Sequence, residues 1–374
     1  ARAMRGGRNA PGGRGEAPAD HRSVGAFARP QAASAGCQSA PAAHAAIPRG
    51  RAAMQAAATA AAAAVAAAAG AVAMRLQRRR MCGRRVSPSG CRLPRDIHQV
   101  LSGQQLLPGR LIIVGDVHGC CDELRALLAS VEYAKGYDNL LFVGDLVNKG
   151  PQNIEVLDLF LECGAKSVRG NHDDNVLRSY HRWRERGWQL KPEQSWIYGL
   201  KPEHVAALES LPFTLCLKEY GLLIVHAGLV PDVPLRKQDL WAMYKMRNLV
   251  HGANAGGGAG GDAHGRNGDG DRRRSGGLVP TEDPQPGEAW AAKWEGPWHV
   301  LFGHDAKRRL QLHPAATGLD SGCLYGRQLT AALLPPRPSS GVRRADGAPP
   351  TREALGLTLA SVPATAVHEV PDAD

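Results

Sequence analysis

None of the eight cysteines stands in a C-x-x-C pair. Cys37, Cys82, Cys91, Cys120, Cys121, Cys163, Cys216 and Cys323 are scattered over 374 residues. That spread does not read as the disulfide framework of a small secreted domain. The adjacent Cys120 and Cys121 read as small buried side chains. Lysine is absent before residue 98 and acidic residues nearly so: residues 1–97 hold 16 Arg and 3 acidic residues, a net of +13. The whole chain carries +11, so residues 98–374 carry −2. The basic balance belongs to the leader, and no stable nucleic-acid binding is expected from the folded domain. Large apolar side chains are also scarce in the leader. They gather between residues 98 and 334, and a stretch of roughly 240 residues can bury one sizeable core.

The leader, 1–97, is rich in Ala, Arg, Gly and Ser, the composition of an organellar transit peptide. It is expected to direct the chain to a chloroplast or mitochondrion. Ala52 to Met74 is uncharged and mostly alanine. It is long enough to span a bilayer, but alanine gains little from lipid. Membrane contact is expected only through residues 52–74, and a membrane-anchored or cytoplasmic chain is the alternative. Residues 252–287 are Gly, Asp, Arg and Pro, which cannot bury a core, and are read as a disordered insertion. Residues 335–374 are read as a disordered Pro-rich tail.

Between these lies an alternation. Leu111-Ile112-Ile113-Val114 and Leu140-Leu141-Phe142-Val143 are short apolar runs, the pattern of buried strands. Helical spacing follows each: Leu124, Leu127 and Leu128, then Val156, Leu157 and Phe160. Ser167-Val168, Leu222 to Val225 and Val300 to Phe302 add three more strands. Gln311 to Leu334 reads as a strand pair returning to the sheet. The fold class is α/β, with strands covered on both faces.

Every strand ends in a polar cluster: Gly115-Asp116-Val117-His118-Gly119, Gly144-Asp145, Gly170-Asn171-His172-Asp173, His226-Ala227-Gly228 and Gly303-His304. Sites in α/β sheets form beyond the carboxyl ends of strands, so five ends aim at one place. Two Asp, three His and one Asn suit borderline metals such as Mn, Fe or Zn rather than a calcium cage. One aspartate can bridge two ions, and two ions about 3.5–4 Å apart would clamp a phosphate and activate water. Taken singly, His118 or His226 would read as a structural histidine and Asp116 as a helix cap. Five such clusters in order outweigh those readings.

GDVHG, GDLVNKGP, GNHD, HAGL and GHD resemble the five motifs of the calcineurin-like metallophosphoesterases. GDLVNKGP, FGHDAKRRLQ and ATGLDSGCLYGRQLTA resemble more narrowly the ApaH-like phosphatases, relatives of the symmetrical bis(5'-nucleosyl)-tetraphosphatases. The resemblance spans about Leu111 to Leu333. It implies two mixed β-sheets packed as a sandwich flanked by helices. It implies two divalent metal ions: Asp116 and His118 on the first, Asp145 bridging, and Asn171, His226 and His304 on the second. It implies His172 as the acid that protonates the leaving group. Arg247 would hold a substrate phosphate. Lys149 stands where protein phosphatases of this superfamily carry Arg, and would bind phosphate as a point charge.

One departure bears on substrate. Serine/threonine phosphatases of the superfamily have Asp where this chain has Asn148. Asn148 can accept a hydrogen bond from His172 but cannot stabilise its positive charge. A serine alkoxide needs that proton to leave, whereas a phosphate leaving from an anhydride needs it less. The expected activity is hydrolysis of a phosphoanhydride (dinucleoside polyphosphate, polyphosphate or nucleotide cap) by water activated at a two-metal centre. A phosphoprotein phosphatase is the second reading and an inactive metal-binding protein the third. Asp173 and Asp174 read as helix caps, Tyr325, His299 and His313 as packing residues, and Trp290, Trp294 and Trp298 as an apolar edge. Asp320 could border the site, and Asp305, Lys307 and Arg308 its approach.

Overall fold

The computed structural model describes residues 86–251, 277–282, 288–336 and 347–370. The strands in chain order are β1 (His98–Val100), β2 (Leu111–Val114), β3 (Asn139–Phe142), β4 (Lys166–Ser167), β5 (Thr214–Leu217), β6 (Leu222–Val225), β7 (Asn248–His251), β8 (Leu278–Thr281), β9 (Glu288–Ala289), β10 (His299–Phe302), β11 (Gln311–Leu312), β12 (Ala316–Gly318), β13 (Gln328–Leu334) and β14 (Thr358–Pro363). The helices are α1 (Cys121–Ser130), α2 (Asn153–Glu162), α3 (Asn171–Arg186), α4 (Pro202–Ser210), α5 (Leu240–Lys245) and α6 (Arg352–Leu355).

Two mixed sheets form the expected sandwich. One runs β14-β13-β2-β3-β4 and the other β1-β5-β6-β10-β12-β11; a small third sheet is β8-β7-β9. In the first, β2, β3 and β4 are parallel, with Ile112 opposite Leu140 and Leu141 opposite Lys166. In the second, β6, β10 and β12 are parallel. All four residues of β2 are buried because its alternating side chains serve two layers. Ile112 and Val114 pack outward among Leu124, Leu127, Val156, Phe160 and Val176 of the helices. Leu111 and Ile113 point inward to Leu222, Ile224 and Leu301 of the facing sheet. The outer face of that second sheet, with Leu223, Val300 and Phe302, packs on Met243, Tyr244 and Trp290. Each such Leu or Ile contributes about 1.5–3 kcal/mol when fully buried.

Four expectations need correction. The Pro-rich tail is not disordered throughout: Thr358–Pro363 pairs antiparallel along six residues of β13, and Thr351 caps α6. The alternation in Thr358-Leu359-Ala360-Ser361-Val362 was hidden by the prolines around it. The leader is shorter than 97 residues, because Val86 bridges Arg92 and Cys91 is buried in the helix-side core. The insertion contributes β8, which pairs with β7. Finally, Gln311 to Leu334 serves both sheets: β11 and β12 lie in one, β13 in the other. The transit-peptide and bilayer expectations fall on residues 1–85, outside the described residues. Among the described residues no helix is long and apolar enough to cross a membrane.

Candidate metal centre and active site

Asp116, Asp145 and Asn171 follow the carboxyl ends of β2, β3 and β4, and His226 and His304 follow β6 and β10. The loops after β2 and β3 are laced together. Val117 N and His118 N donate to Asp145 O, and Gly119 N donates to Leu146 O. His118, Asp145, Asn148, Lys149 and His304 all have positive φ, between 49° and 87°. Left-handed backbone in non-glycine residues is costly, and it clusters where geometry serves a site. Two glycines are dictated by space. A Cβ on Gly303 would collide with the Asp116 carboxylate, and one on Gly170 with the Asp145 carboxylate.

The six expected ligands converge, and none is more than 7% exposed. Asp145 Oδ2 lies 3.5 Å from His118 Nε2 and 3.4 Å from His226 Nε2. His226 Nε2 and His304 Nδ1 each lie 3.0 Å from Asn171 Oδ1. The opposite ring nitrogens donate to main-chain carbonyls, His226 Nδ1 to Val143 O at 2.8 Å and His304 Nε2 to Lys245 O at 2.9 Å. In a neutral His304 ring the inward Nδ1 therefore presents a lone pair to Asn171 Oδ1, itself an acceptor, whereas at His226, against burial, the neighbouring Asp145 raises the pKa of the ring. Acceptors this close repel unless a cation lies among them. Among the described residues Asp116 Oδ1 is buried with no hydrogen-bond partner, while Asp116 Oδ2 accepts from His304 N at 3.0 Å. Burial and the carboxylates of Asp320 and Asp145 push the Asp116 carboxyl well above its usual range. Burial alone would raise Asp145; the rings of His226, His172 and His118 outweigh it and hold that carboxyl well below the usual range. Burial lowers His118 and His304, keeping both rings in the neutral, ligating form. The donor set thus fits divalent metal, and Asp145 belongs to two groups of converging donors, with His118 and His172 and with His226 and His304.

His172 stands beside this cluster at the start of α3. Its main-chain N donates to Asp145 Oδ1 at 2.9 Å, and its ring meets the His118 ring edge-on at 4.9 Å. Asn148 Nδ2 lies 2.8 Å from His172 Nδ1. The amide therefore donates and the ring accepts, the reverse of the direction expected from sequence. A neutral ring accepting at Nδ1 carries its proton on Nε2. Burial first, against the opposing charge of Asp145, lowers His172 to about 3.

A family model for calcineurin-like phosphoesterases matches residues 109–334. The chain belongs to the calcineurin-like phosphoesterase family. It is a hydrolase, and members of that family use divalent metals. Over 246 residues it is 30% identical to the asymmetrical bis(5'-nucleosyl)-tetraphosphatase PrpE of Halalkalibacterium halodurans, covering 60% of this chain and 89% of that one. Over 147 residues it is 34% identical to the symmetrical bis(5'-nucleosyl)-tetraphosphatase of Psychromonas ingrahamii, covering 37% of this chain and 51% of that one. The chain thus spans only about half the length of that symmetrical relative. A crystal structure of a proposed diadenosine tetraphosphatase superposes with a TM-score of 0.54 at 32% identity, covering 72% of this chain and 98% of that one.

Against this phosphoesterase frame the remaining expected residues find places. Arg247 reaches the centre, with Nη2 3.4 Å from His304 O, and its Nη1 lies 3.4 Å from Glu282 Oε1. Lys149 Nζ lies 3.2 Å from Tyr325 Oη, so Tyr325 does more than pack. Asp173 caps α3 by accepting from Gly170 N. It also accepts from Asp145 N, Leu146 N and Val147 N, which braces the loop carrying Asp145. Asp174 is no cap: it forms a fully buried pair with Arg169 at 3.3 Å. Asp305 holds Arg308 at 2.6 Å. His299 is structural, between Pro350 O and Thr317 Oγ1. Sequence reasoning missed Glu282 and Glu369, the acidic partners of Arg247 and Lys149. No local pattern marks either, since both are brought in from segments without motifs.

Proposed function

We propose that this phosphoesterase hydrolyses phosphoanhydride bonds, with dinucleoside polyphosphates the leading candidates and polyphosphate or a nucleotide cap sharing the same linkage. The observation that carries the reading is the partner of His172. Asn148 is neutral and donates to Nδ1 at 2.8 Å, so nothing on that side stabilises an imidazolium. A neutral His172 still offers Nε2–H as a hydrogen-bond donor to the departing oxygen. That suffices for a phosphate leaving group of low pKa and falls short for an alkoxide. The names of the tetraphosphatase relatives point the same way.

The residues have the following roles in this proposal. Asp116 and His118 would hold one divalent ion, Asn171, His226 and His304 would hold a second, and Asp145 would serve both. When bound, such a pair (Mn, Zn or Fe) neutralises phosphate charge and lowers the pKa of water. Lys149 and Arg247 orient the substrate phosphates. Residues 1–85 are proposed to be an organellar targeting signal, and a diffuse cytosolic signal from their fusion to a fluorescent protein would refute that.

The test is turnover of diadenosine tetraphosphate, polyphosphate, capped RNA and a phosphopeptide by the full chain with manganese or zinc. Preference for an anhydride, lost by at least a hundredfold in Asp145→Asn, is expected. Preference for the phosphopeptide would make the chain a protein phosphatase. Metal binding without turnover of any of the three anhydrides would refute the phosphoanhydride reading.

A further inference from the structure

Both cations placed to meet substrate phosphate already face carboxylates, and the pair at Lys149 is held by an elaborate framework. Lys149 Nζ lies 3.1 Å from Glu369 Oε1. Glu369 follows β14 by six residues, and six contacts fix its approach. Val367 bridges Tyr325. His368 N and Glu369 N both donate to Leu324 O, at 3.0 and 3.1 Å. Thr365 N and Thr365 Oγ1 donate to Oε1 of buried Glu123, at 2.9 and 2.6 Å. His368 Nε2 meets the same oxygen at 3.1 Å. The Glu369 side chain is thus delivered by a tethered backbone rather than by a loose terminus. Its second oxygen, Oε2, is buried with no hydrogen-bond partner among the described residues. Lys149 is steered from the other side by Tyr325, whose ring centroid is 5.5 Å from Nζ.

We propose that Glu369 is a specificity-determining residue, whose carboxylate beside Lys149 disfavours terminal phosphate dianions and leaves singly charged internal phosphates as substrates. This rests on the phosphoanhydride reading above, which it deepens. A phosphate substituted on both sides, as inside an anhydride chain, carries one negative charge. A terminal phosphomonoester carries about −1.5 to −2 at pH 7. A lone lysine would favour the dianion. A lysine whose charge is balanced by a carboxylate at 3.1 Å does not, because its attraction for an incoming phosphate is offset by a repulsion that rises with the same charge. Tyr325 keeps Lys149 in place, so the cation orients the phosphate without supplying the full attraction of a free ammonium.

The experiment compares p-nitrophenyl phosphate with bis(p-nitrophenyl) phosphate, which share a leaving group and differ in charge, using the full metal-loaded chain. Diadenosine tetraphosphate is run alongside. Glu369→Gln is expected to raise kcat/KM for the monoester relative to the diester by about five- to tenfold, mainly through KM, and less at high salt because the pair is partly exposed. Glu369→Asp retains the charge and is expected to stay nearer the wild-type ratio. An unchanged ratio in Glu369→Gln, with an unchanged melting temperature, would overturn the assignment. If Glu369→Gln failed to fold, a wild-type ratio that did not move with salt would overturn it equally. Failure of the wild type to cleave diadenosine tetraphosphate, polyphosphate and capped RNA alike would instead overturn the phosphoanhydride reading.

Discussion

In the proposed reaction Asn148 sets how readily the His172 ring takes up a proton. It sits in a left-handed turn, held by its own N–H to Asn153 Oδ1 at 2.7 Å, and its amide faces His172. Asp in its place would accept Nδ1–H and stabilise the imidazolium. Asn148→Asp is therefore expected to raise turnover of a phosphoserine peptide relative to diadenosine tetraphosphate by about tenfold, one pKa unit of added acid. Parallel kcat/KM measurements decide this, and an unmoved ratio would remove the basis for the substrate assignment. Gly303 is the complementary case. Its Cβ would displace the Asp116 carboxylate, so Gly303→Ala should weaken divalent metal binding more than it lowers thermal stability. Calorimetric titration against the melting temperature separates the two effects. Both motif glycines and ligands were legible in sequence because strand-end clusters announce themselves locally. The direction of the Asn148–His172 hydrogen bond was not, since it depends on where two loops meet.

Among the elements, α3 joins site and core. Its first turn carries Asn171 and His172, and Asp173 ties its amino end to the Asp145 loop. Just before it, Arg169 is fully buried, pairs with Asp174, and donates to Arg92 O at 3.1 Å and Glu209 O at 2.6 Å. Removing one partner of a buried pair leaves the other uncompensated. Arg169→Met is expected to cost about 3–5 kcal/mol in denaturant unfolding. Central strands and helices were readable from apolar runs and 3.6-residue spacing, because their burial is encoded within the segment. β14 and β8 were not. Each is an edge strand amid Pro or Gly, and its pairing depends on a distant partner.

At the scale of the whole molecule, the last described segment closes over α1. Glu123 in α1 receives Thr365 and His368 from beyond β14. Burial alone would raise this carboxyl; the hydrogen bonds from Thr365 and His368 outweigh it and hold it down to about 2, against an ordinary 4.5. A carboxyl lowered by folding stabilises above its unfolded pKa and loses that contribution as pH falls toward the folded one. The window is thus from about 4.5 down to about 2, and the contribution above it is about 3 kcal/mol. Unfolding free energies of wild type and Glu123→Gln should differ most above pH 5 and converge as pH approaches 2. A gap that stayed constant across that range would exclude Glu123 as the titrating group.

The sequence alone determined the α/β class, the central strands, the set of polar strand-end residues that converge, and the family resemblance. These rest on short segments whose side-chain types and spacing carry the chemistry within a few residues. Tertiary structure alone decided that a Pro-rich tail becomes an edge strand, that Asp173 braces the Asp145 loop, and that Glu369 meets Lys149. Those contacts join residues far apart in the chain, and no local periodicity encodes which distant partner a charge or an unpaired strand edge will find.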